Sequence, residues 1–175
     1  MKIFRLVSLL ALILLQACAN PSIVNVRERM VSDIPSNAII FVPRFEGNPI
    51  FVEESTDYFV SILESSIDNR IVQGSALRQE STDIASGGNL APVEIALTVS
   101  RERGYDVLVM GKVTSHKTMG SLNGFSTVRV YDVGTGDRIA NFHRPSGLLV
   151  AHSEHQSVMA AVKRTAGDAS KLFTR

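Results

Sequence analysis

The sequence predicts an α/β fold of the mixed α+β kind, in which a single mixed β-sheet of about five strands packs against three to four helices. Three observations lead to this prediction. Two short runs, residues 38–42 and 106–113, are continuously apolar, as expected of strands covered on both faces. Residues 51–67 place apolar side chains at the spacing of one helical face. Residues 124–131 alternate in polarity before a glycine turn, as a half-buried antiparallel strand does.

The first predicted strand and the first predicted helix follow each other closely. Pro43 ends the apolar run 38–42, because proline cannot donate a hydrogen bond to a sheet. Turn-forming residues occupy 46–49, and the helix after them is expected to have about 16 residues. Its apolar positions share one face: Phe51, Tyr58, Phe59, Ile62, Leu63 and Ile67.

The middle of the chain predicts a short strand and two further helices. Residues 70–73 form the strand, and residues 75–85 form a weak helix with few apolar positions. After the chain-breaking segment 86–89, Pro92 suits the first turn of the next helix, where an amide hydrogen would have no helical partner. Gly104 is expected to end that helix in the left-handed conformation.

The last third of the chain predicts a hairpin and a closing helix. The run 106–113 has the strongest strand pattern and is expected in the middle of the sheet. Residues 124–131 and 138–142 flank a glycine-containing turn, so they are expected to pair as an antiparallel hairpin. Ser153, with Gln156 three positions later, forms a capping box before the final helix. The predicted order of elements is β-α-β-α-α-β-β-β-α.

The first 18 residues have the layout of an export signal. Lys2 and Arg5 precede an apolar stretch over residues 6–15, and the small Ala17 precedes Cys18, the sole cysteine. This segment resembles a bacterial lipoprotein signal peptide, which implies cleavage between Ala17 and Cys18 and attachment of acyl chains to Cys18. A membrane-spanning helix needs roughly 20 apolar residues, which this stretch does not provide. Ordinary secretion with a free Cys18 and retention of the segment are the alternatives.

The chain is expected to consist of three parts. Residues 1–17 are the signal peptide, residues 18–36 are the lipidated cysteine with a tether, and residues 37–175 are a periplasmic α/β domain. Because Ala19 rather than an aspartate follows the cysteine, the resemblance favours attachment to the outer membrane, facing the periplasm.

Residues 19–36 allow two interpretations. They contain two prolines, mixed charge and no sustained periodicity, which favours a tether that could extend roughly 60 Å. The alternative is that their apolar residues dock onto the domain as an edge segment.

Composition excludes several classes of function. Loss of residues 1–17 would leave 158 residues, with 16 basic and 17 acidic side chains and a net charge of −1 with histidine neutral. No excess of positive charge therefore indicates binding to nucleic acid. With Cys18 acylated, no cysteine is left for a disulfide or a cysteine metal site. The fold must rely on apolar packing, for which one domain of this length suffices.

Two glycine motifs partly resemble nucleotide-binding loops. Gly111-Lys112 lacks the upstream glycine of a phosphate loop, and Val113 replaces the Ser or Thr that would hold magnesium. Gly134-Thr135-Gly136 is better interpreted as a hairpin turn, since no helix pattern follows it directly.

Catalytic and metal-binding patterns are equally weak. His152, Glu154 and His155 could gather a metal ion, although a polar helix start with exposed histidines is the favoured interpretation. The sequence contains no G-x-S-x-G motif. Several acids fall on helix faces expected to be exposed: Asp57, Glu64, Asp68, Glu80 and Asp83. We therefore expect no catalytic residue, no metal and no cofactor.

Three segments carry a wider resemblance: residues 39–45 (IIFVPRF), 104–113 (GYDVLVMGKV) and 131–136 (YDVGTG). With the predicted order of elements, they resemble the periplasmic domains shared by the curli-secretion lipoprotein, the amino-terminal part of TolB and the lipoprotein activators of penicillin-binding proteins. The resemblance covers residues 37–175 and implies a mixed sheet that serves protein–protein assembly without catalysis. The candidate hairpin over residues 124–143 carries charges around its turn, so a pore-forming role is not expected.

The sequence as a whole therefore predicts an outer-membrane lipoprotein whose periplasmic domain binds another envelope protein in assembly, stabilisation or regulation. Its expected partners are the membrane, through the lipid on Cys18, and an envelope protein, with no nucleic acid. The first alternative is a homo-oligomeric, ring-forming component of an export or secretion apparatus. A hydrolytic enzyme is the least favoured hypothesis, because it would need a cleft in which titratable groups converge.

Overall fold

The computed structural model describes residues 22–75, 92–118, 121–147 and 153–174. Several predictions fall outside these residues: the signal peptide, Cys18, residues 76–85 of the predicted weak helix, and His152. In the described parts, no helix is long enough and apolar enough to cross a membrane.

The described chain forms one open, mixed sheet with helices packed on it, which confirms the predicted fold class. The strands are β1 (Ile23–Val26), β2 (Ile40–Val42), β3 (Glu46–Gly47), β4 (Ile71–Gln73), β5 (Val107–Thr118), β6 (Ser121–Asp132) and β7 (Arg138–Pro145). The helices are α1 (Glu28–Val31), α2 (Pro49–Ser66), α3 (Pro92–Glu102) and α4 (Glu154–Ser170). The sheet has more strands than the five expected, because β1 and β3 add to the predicted set.

The strands lie in the order β1-β7-β6-β5-β2-β4, with β3 beside β5. Strands β2 and β4, β2 and β5, and β3 and β5 pair in parallel, whereas β5, β6, β7 and β1 pair in antiparallel fashion. The prediction that the run 106–113 lies inside the sheet is confirmed, since β5 has β2 on one side and β6 on the other.

The segment before the first predicted strand is docked rather than extended. Strand β1 pairs with β7 along its whole length, from Ile23 opposite His143 to Val26 opposite Ala140. The Arg27 amide then donates to the Ile139 carbonyl oxygen at 2.9 Å, and α1 follows. Residues 23–31 thus follow the edge-segment alternative, and the tether interpretation is wrong for them.

Helices α2 and α4 cover one face of the sheet. On this face, Gly111 of β5 lies against the Phe45 ring: a Cβ atom on residue 111 would come within 2.2 Å of that ring, so only glycine fits there. The main core lies between this face and the two helices, and its largest buried members include Ile40, Val109, Val130, Phe142, Phe59, Leu63, Val158 and Val162.

Helix α3 covers part of the opposite face. Its Ala96 and Leu97 pack with Phe41 of β2 and Leu108 of β5 in a second, smaller cluster. Gly104 ends this helical segment with a φ of +69°, as predicted, in a conformation that glycine adopts without steric cost.

The starts of the two long helices are capped by side chains. The Asn48 side-chain oxygen accepts from the Ile50 amide at 3.1 Å, with Pro49 at the first helical position. The Ser153 hydroxyl accepts from the Gln156 amide at 3.1 Å, which confirms the predicted start of the last helix.

Strands β5 and β6 are longer than predicted and form a hairpin that the sequence did not indicate. Each has 12 residues, and their pairing continues from Val107 opposite Asp132 to Thr118 opposite Ser121. The apolar pattern that predicts this strand ends at Val113, because the residues that follow are polar. The start of α4 supports this extension, since the Ser115 hydroxyl donates to the Glu154 carboxylate. The predicted hairpin over residues 124–143 is also present, as β6 and β7.

Candidate interaction surface

One face of the sheet carries a group of polar and aromatic side chains that we call the open face. Because directly paired residues of antiparallel strands point to the same side, the register places these residues together: Ile23 and Asn25 on β1, Asn141 and His143 on β7, Phe125, Thr127 and Arg129 on β6, and Lys112, Thr114 and His116 on β5. Residues between them on the same strands, such as Val113, Val128 and Phe142, point to the opposite side and are buried under α2 and α4. Of the described helices, α3 packs on the same side as the open face, and it covers β2 and the start of β5.

Phe125 lies at the centre of the open face between two histidines. Its ring stacks on His143 with a centroid distance of 5.7 Å and an interplanar angle of 13°. On the other side, His116 meets the ring edge-on at 5.5 Å and 63°. Thr127 orients the stacked histidine through a hydrogen bond of 2.9 Å between its hydroxyl and His143 Nδ1. Three rings from three strands therefore form a continuous, partly exposed ladder.

The edge of the open face is apolar and exposed. Ile23 of β1 is 50% exposed and lies beside His143, while Val24, which points to the other side of the same strand, is 48% exposed. Lys112 of β5 and Arg129 of β6 are exposed and lie near the ladder. Aromatic residues with arginine, surrounded by polar groups, are the composition that protein interfaces favour. The arrangement is chemically suited to recognition of another protein surface.

The larger surface depression, of about 400 Å³, lies at the opposite end of the sheet and is held together by structural hydrogen bonds. Asp106 Oδ2 accepts from the Ile39 amide at 2.8 Å, and Asp132 Oδ1 accepts from the Thr135 amide at 2.6 Å. Arg101 Nε donates to the Val133 carbonyl oxygen at 2.9 Å. These hydrogen bonds fix the ends of strands and the turn after β6, so Arg101, Asp106 and Asp132 have structural roles among the described residues that line the depression.

A second depression, of about 240 Å³, lies beside α2 and β4. Asp57, one of the acids expected on an exposed helix face, lines it and accepts from Gln73 Nε2 at 2.6 Å. Glu64 and Asp68 are exposed, as expected. Glu80 and Asp83 fall outside the described residues.

Glu154 and His155, two of the three candidate metal ligands, contact different parts of the fold. Glu154 contacts Ser115 of β5, while His155 Nε2 lies 2.7 Å from a carboxylate oxygen of Glu54 on α2. His152 is not described, and the described residues contain no group of three His, Cys, Asp or Glu side chains that could hold a metal ion.

The two glycine motifs have structural roles. Gly111 packs on Phe45, whereas Lys112 points to the open face. Residues 134–136 form the turn between β6 and β7, in which Gly136 has a φ of +77°. Neither motif precedes a helix that could receive a phosphate.

Sequence patterns located only part of the open face. The alternation of residues 124–131 placed Phe125, Thr127 and Arg129 on one side of a strand, as observed. The two histidines were missed, because their positions depend on pairing between strands and not on local periodicity. His143 follows directly after the predicted strand 138–142, and continuing the alternation across that boundary would have included it.

Comparisons with known proteins show similarity of structure but not of sequence. No family model matches this sequence. No curated protein matches it either. The PelC dodecamer from Paraburkholderia phytofirmans has a TM-score of 0.53 and 18% sequence identity, covering 89% of this chain and 99% of that chain. Because the identity is below 25%, this similarity shows the fold alone.

Two other solved structures are similar at lower scores. The LpoB C-terminal domain from Salmonella enterica has a TM-score of 0.49 and 13% identity, covering 69% of this chain and 94% of that chain. TolB from Acinetobacter baumannii has a TM-score of 0.47 and 11% identity, covering 88% of this chain and 31% of that chain. TolB is named in the resemblance of the sequence, and it is also among the solved structures to which this chain is similar.

Proposed function

We propose that this chain is an outer-membrane lipoprotein, anchored through Cys18, whose periplasmic domain binds another envelope protein through the open face. The bound protein is assembled, stabilised or regulated by this contact. Cys18 keeps the domain near its partner, and no catalytic step is assigned to the chain.

The observation that carries the proposal is the ladder of His116, Phe125 and His143. Helix α3 stops short of it, and Ile23 extends it to the edge of the sheet. An aromatic ring fixed between two imidazoles loses little side-chain freedom when a partner covers it, and the imidazoles can donate and accept hydrogen bonds. In contrast, Asp106 and Asp132 of the larger depression each accept a hydrogen bond from a backbone amide and thereby stabilise the fold.

Site-specific photocrosslinking in intact cells tests the open face. A photoreactive phenylalanine analogue at Thr127 is expected to capture one envelope protein, because Thr127 lies beside the ladder and is hydrogen-bonded to His143. The matched control is the same analogue at Glu64, which is exposed on α2. Equal capture of the same protein from both positions, or capture from neither, contradicts the assignment of this face.

Substitution of the proposed acylated cysteine tests the anchor. Cys18→Ser removes the thiol that acylation requires, so the protein is expected to leave the membrane fraction and to keep its fold. Fractionation before and after a high-salt wash, with circular dichroism on the purified variant, measures both. A Cys18→Ser protein that stays with membranes in high salt disproves the lipid assignment.

A second candidate function is a ring-forming component of an export apparatus. The similarity to a protein solved as a dodecamer favours it, although that similarity concerns fold. Gel filtration with light scattering on the Cys18→Ser protein separates the two candidates. A stable ring supports the second and contradicts a monomeric adaptor, whereas a monomer removes the ring.

A further inference from the structure

We infer that the end of the domain where β1 begins docks on the anionic lipid headgroups of the membrane that holds the protein. This inference rests on the proposed lipid anchor at Cys18. It adds an orientation, because it assigns a specific charged surface of the domain to the bilayer.

The length of the connecting chain limits the distance between the domain and the membrane. Strand β1 is paired with β7 from Ile23 onward, so the chain is fixed from that residue. Residues 19–22 alone separate Cys18 from β1, and a fully extended segment of that length spans at most about 18 Å from Cys18 to Ile23. The start of β1 must therefore lie close to the bilayer, in contrast to the roughly 60 Å that a free segment over residues 19–36 would allow.

A group of cations surrounds the start of β1. The Arg144 guanidinium contacts the Ser22 hydroxyl, and its Nε donates to Asp168 Oδ2 at 2.5 Å. Lys171, whose side chain is 75% exposed, reaches the other oxygen of Asp168 at 3.3 Å. Arg164 Nη1 donates to the Pro145 carbonyl oxygen at 3.0 Å. We call Arg144, Arg164 and Lys171 the anchor-end cations.

The charge of this surface is complementary to an anionic bilayer. Within the contacts just described, three cations face one carboxylate, Asp168, which is 15% exposed and already bound by Arg144. Lys171 and Arg164 keep exposed charged ends that can approach headgroup phosphates. Electrostatic attraction decays over a Debye length of about 8 Å at physiological ionic strength. A link of at most about 18 Å keeps these cations within little more than two Debye lengths of the bilayer, whereas a free segment of roughly 60 Å would let the domain move far beyond that range.

The orientation also determines how the open face is presented. Strand β1 starts at the membrane end and leads away from it, and the strands beside it run parallel or antiparallel to it. The open face, which lies along these strands, is then turned sideways into the periplasm, where a neighbouring envelope protein can reach it.

Amide hydrogen exchange on the lipidated protein tests the inference. The protein is reconstituted into vesicles of phosphatidylcholine alone, or of phosphatidylcholine with phosphatidylglycerol, and exchange is measured by mass spectrometry. Peptides covering residues 144–147 and 171–174 are expected to exchange about threefold more slowly on the anionic vesicles, because attraction between unlike charges holds this end against the headgroups. Residues 134–137, in the turn at the other end of the sheet, are expected to exchange equally on both. The difference should disappear in high salt.

A double variant and a matched control connect the effect to the cations. Arg164→Gln with Lys171→Gln should abolish the difference between the two vesicles. Lys112→Gln with Arg129→Gln, which removes the same charge from the open face, should leave it unchanged. Two results would overturn the docking inference and leave the anchor intact. The first is that protein bound to both kinds of vesicle shows equal amide exchange on them. The second is that the difference in exchange persists in the Arg164→Gln, Lys171→Gln double variant. Protein that floats with neither vesicle disproves the lipid anchor, and the docking inference with it.

Discussion

Gly124 and Ser157 are in direct contact where α4 crosses β6. The Gly124 amide donates to the Ser157 hydroxyl at 2.5 Å, and that hydroxyl donates in turn to the Leu122 carbonyl oxygen at 3.1 Å. A Cβ atom on residue 124 would lie 2.4 Å from the backbone of Ser157 and Val158. The absence of a side chain at this position is therefore what lets helix and strand approach so closely, and the contact fixes the helix that covers the main core.

Gly124→Ala is expected to destabilise the protein. The added methyl group would collide with backbone atoms that cannot rotate away, and overpacking of this kind costs about 1–3 kcal/mol. Gly167→Ala is the matched control, because a Cβ there meets nothing within 4 Å and replacing a helical glycine gains about 0.5–1 kcal/mol. Urea unfolding of both variants measures the two effects. A Gly124→Ala protein as stable as the Gly167→Ala protein would show that α4 can shift without cost.

Much of the fold could be predicted because its signals are local. Continuously apolar residues identified β2 and the interior β5, and Ser153, whose cap is a hydrogen bond between residues close in sequence, identified the start of α4. The role of Gly104 could be predicted for the same reason, because the left-handed conformation that ends α3 depends on that single residue. Such features depend on a few neighbouring residues, which the sequence displays side by side.

The features that were missed depend on contacts between distant residues. Strand β1 is four residues long, has exposed Ile23 and Val24, and gains its place through backbone hydrogen bonds to β7. Backbone pairing leaves no side-chain pattern, so the sequence left both a tether and a docked edge segment open and favoured the tether. The ladder around Phe125 was missed in the same way, because the register of three strands brings His116 and His143 to it.

Removal of the segment before residue 37 is expected to weaken the domain. A protein that begins at Asn37 lacks the pairing of β1 with β7 and the buried Val31, which is 5% exposed. Burial of one valine contributes about 1.5–3 kcal/mol. Compared with a protein that begins at Ser22, the shorter protein should therefore unfold at a lower urea concentration. Identical midpoints would mean that the edge segment does not contribute to stability.

Ser153→Ala is expected to weaken the start of α4. The Ser153 hydroxyl accepts from the Gln156 amide, and loss of such a cap costs about 1 kcal/mol. Ser65→Ala is the control, because Ser65 is exposed inside α2 and its hydroxyl donates to the carbonyl oxygen of Ile62 in its own helix. Thermal unfolding followed by circular dichroism compares them. A melting temperature of Ser153→Ala equal to that of Ser65→Ala would contradict a stabilising role for the cap.

Phe125→Ala is expected to separate binding from folding. Phe125 is partly buried and stacks on His143, so its loss should cost about 1–2 kcal/mol of stability. Phe142→Ala, on the opposite side of β7, removes a side chain that is 1% exposed and should cost about 3–5 kcal/mol.

If the open face binds the partner, Phe125→Ala removes the central ring of the ladder and should abolish crosslinking from position 127 at temperatures where the variant is folded. Photocrosslinking in cells and urea unfolding of the purified variant measure the two properties. A folded Phe125→Ala protein that crosslinks as strongly as the parent would show that the ring is not part of the interface. If crosslinking is lost and the free energy of unfolding falls as much as in Phe142→Ala, Phe125 belongs to the core. The open face would then be a structural surface, and the partner would have to bind elsewhere.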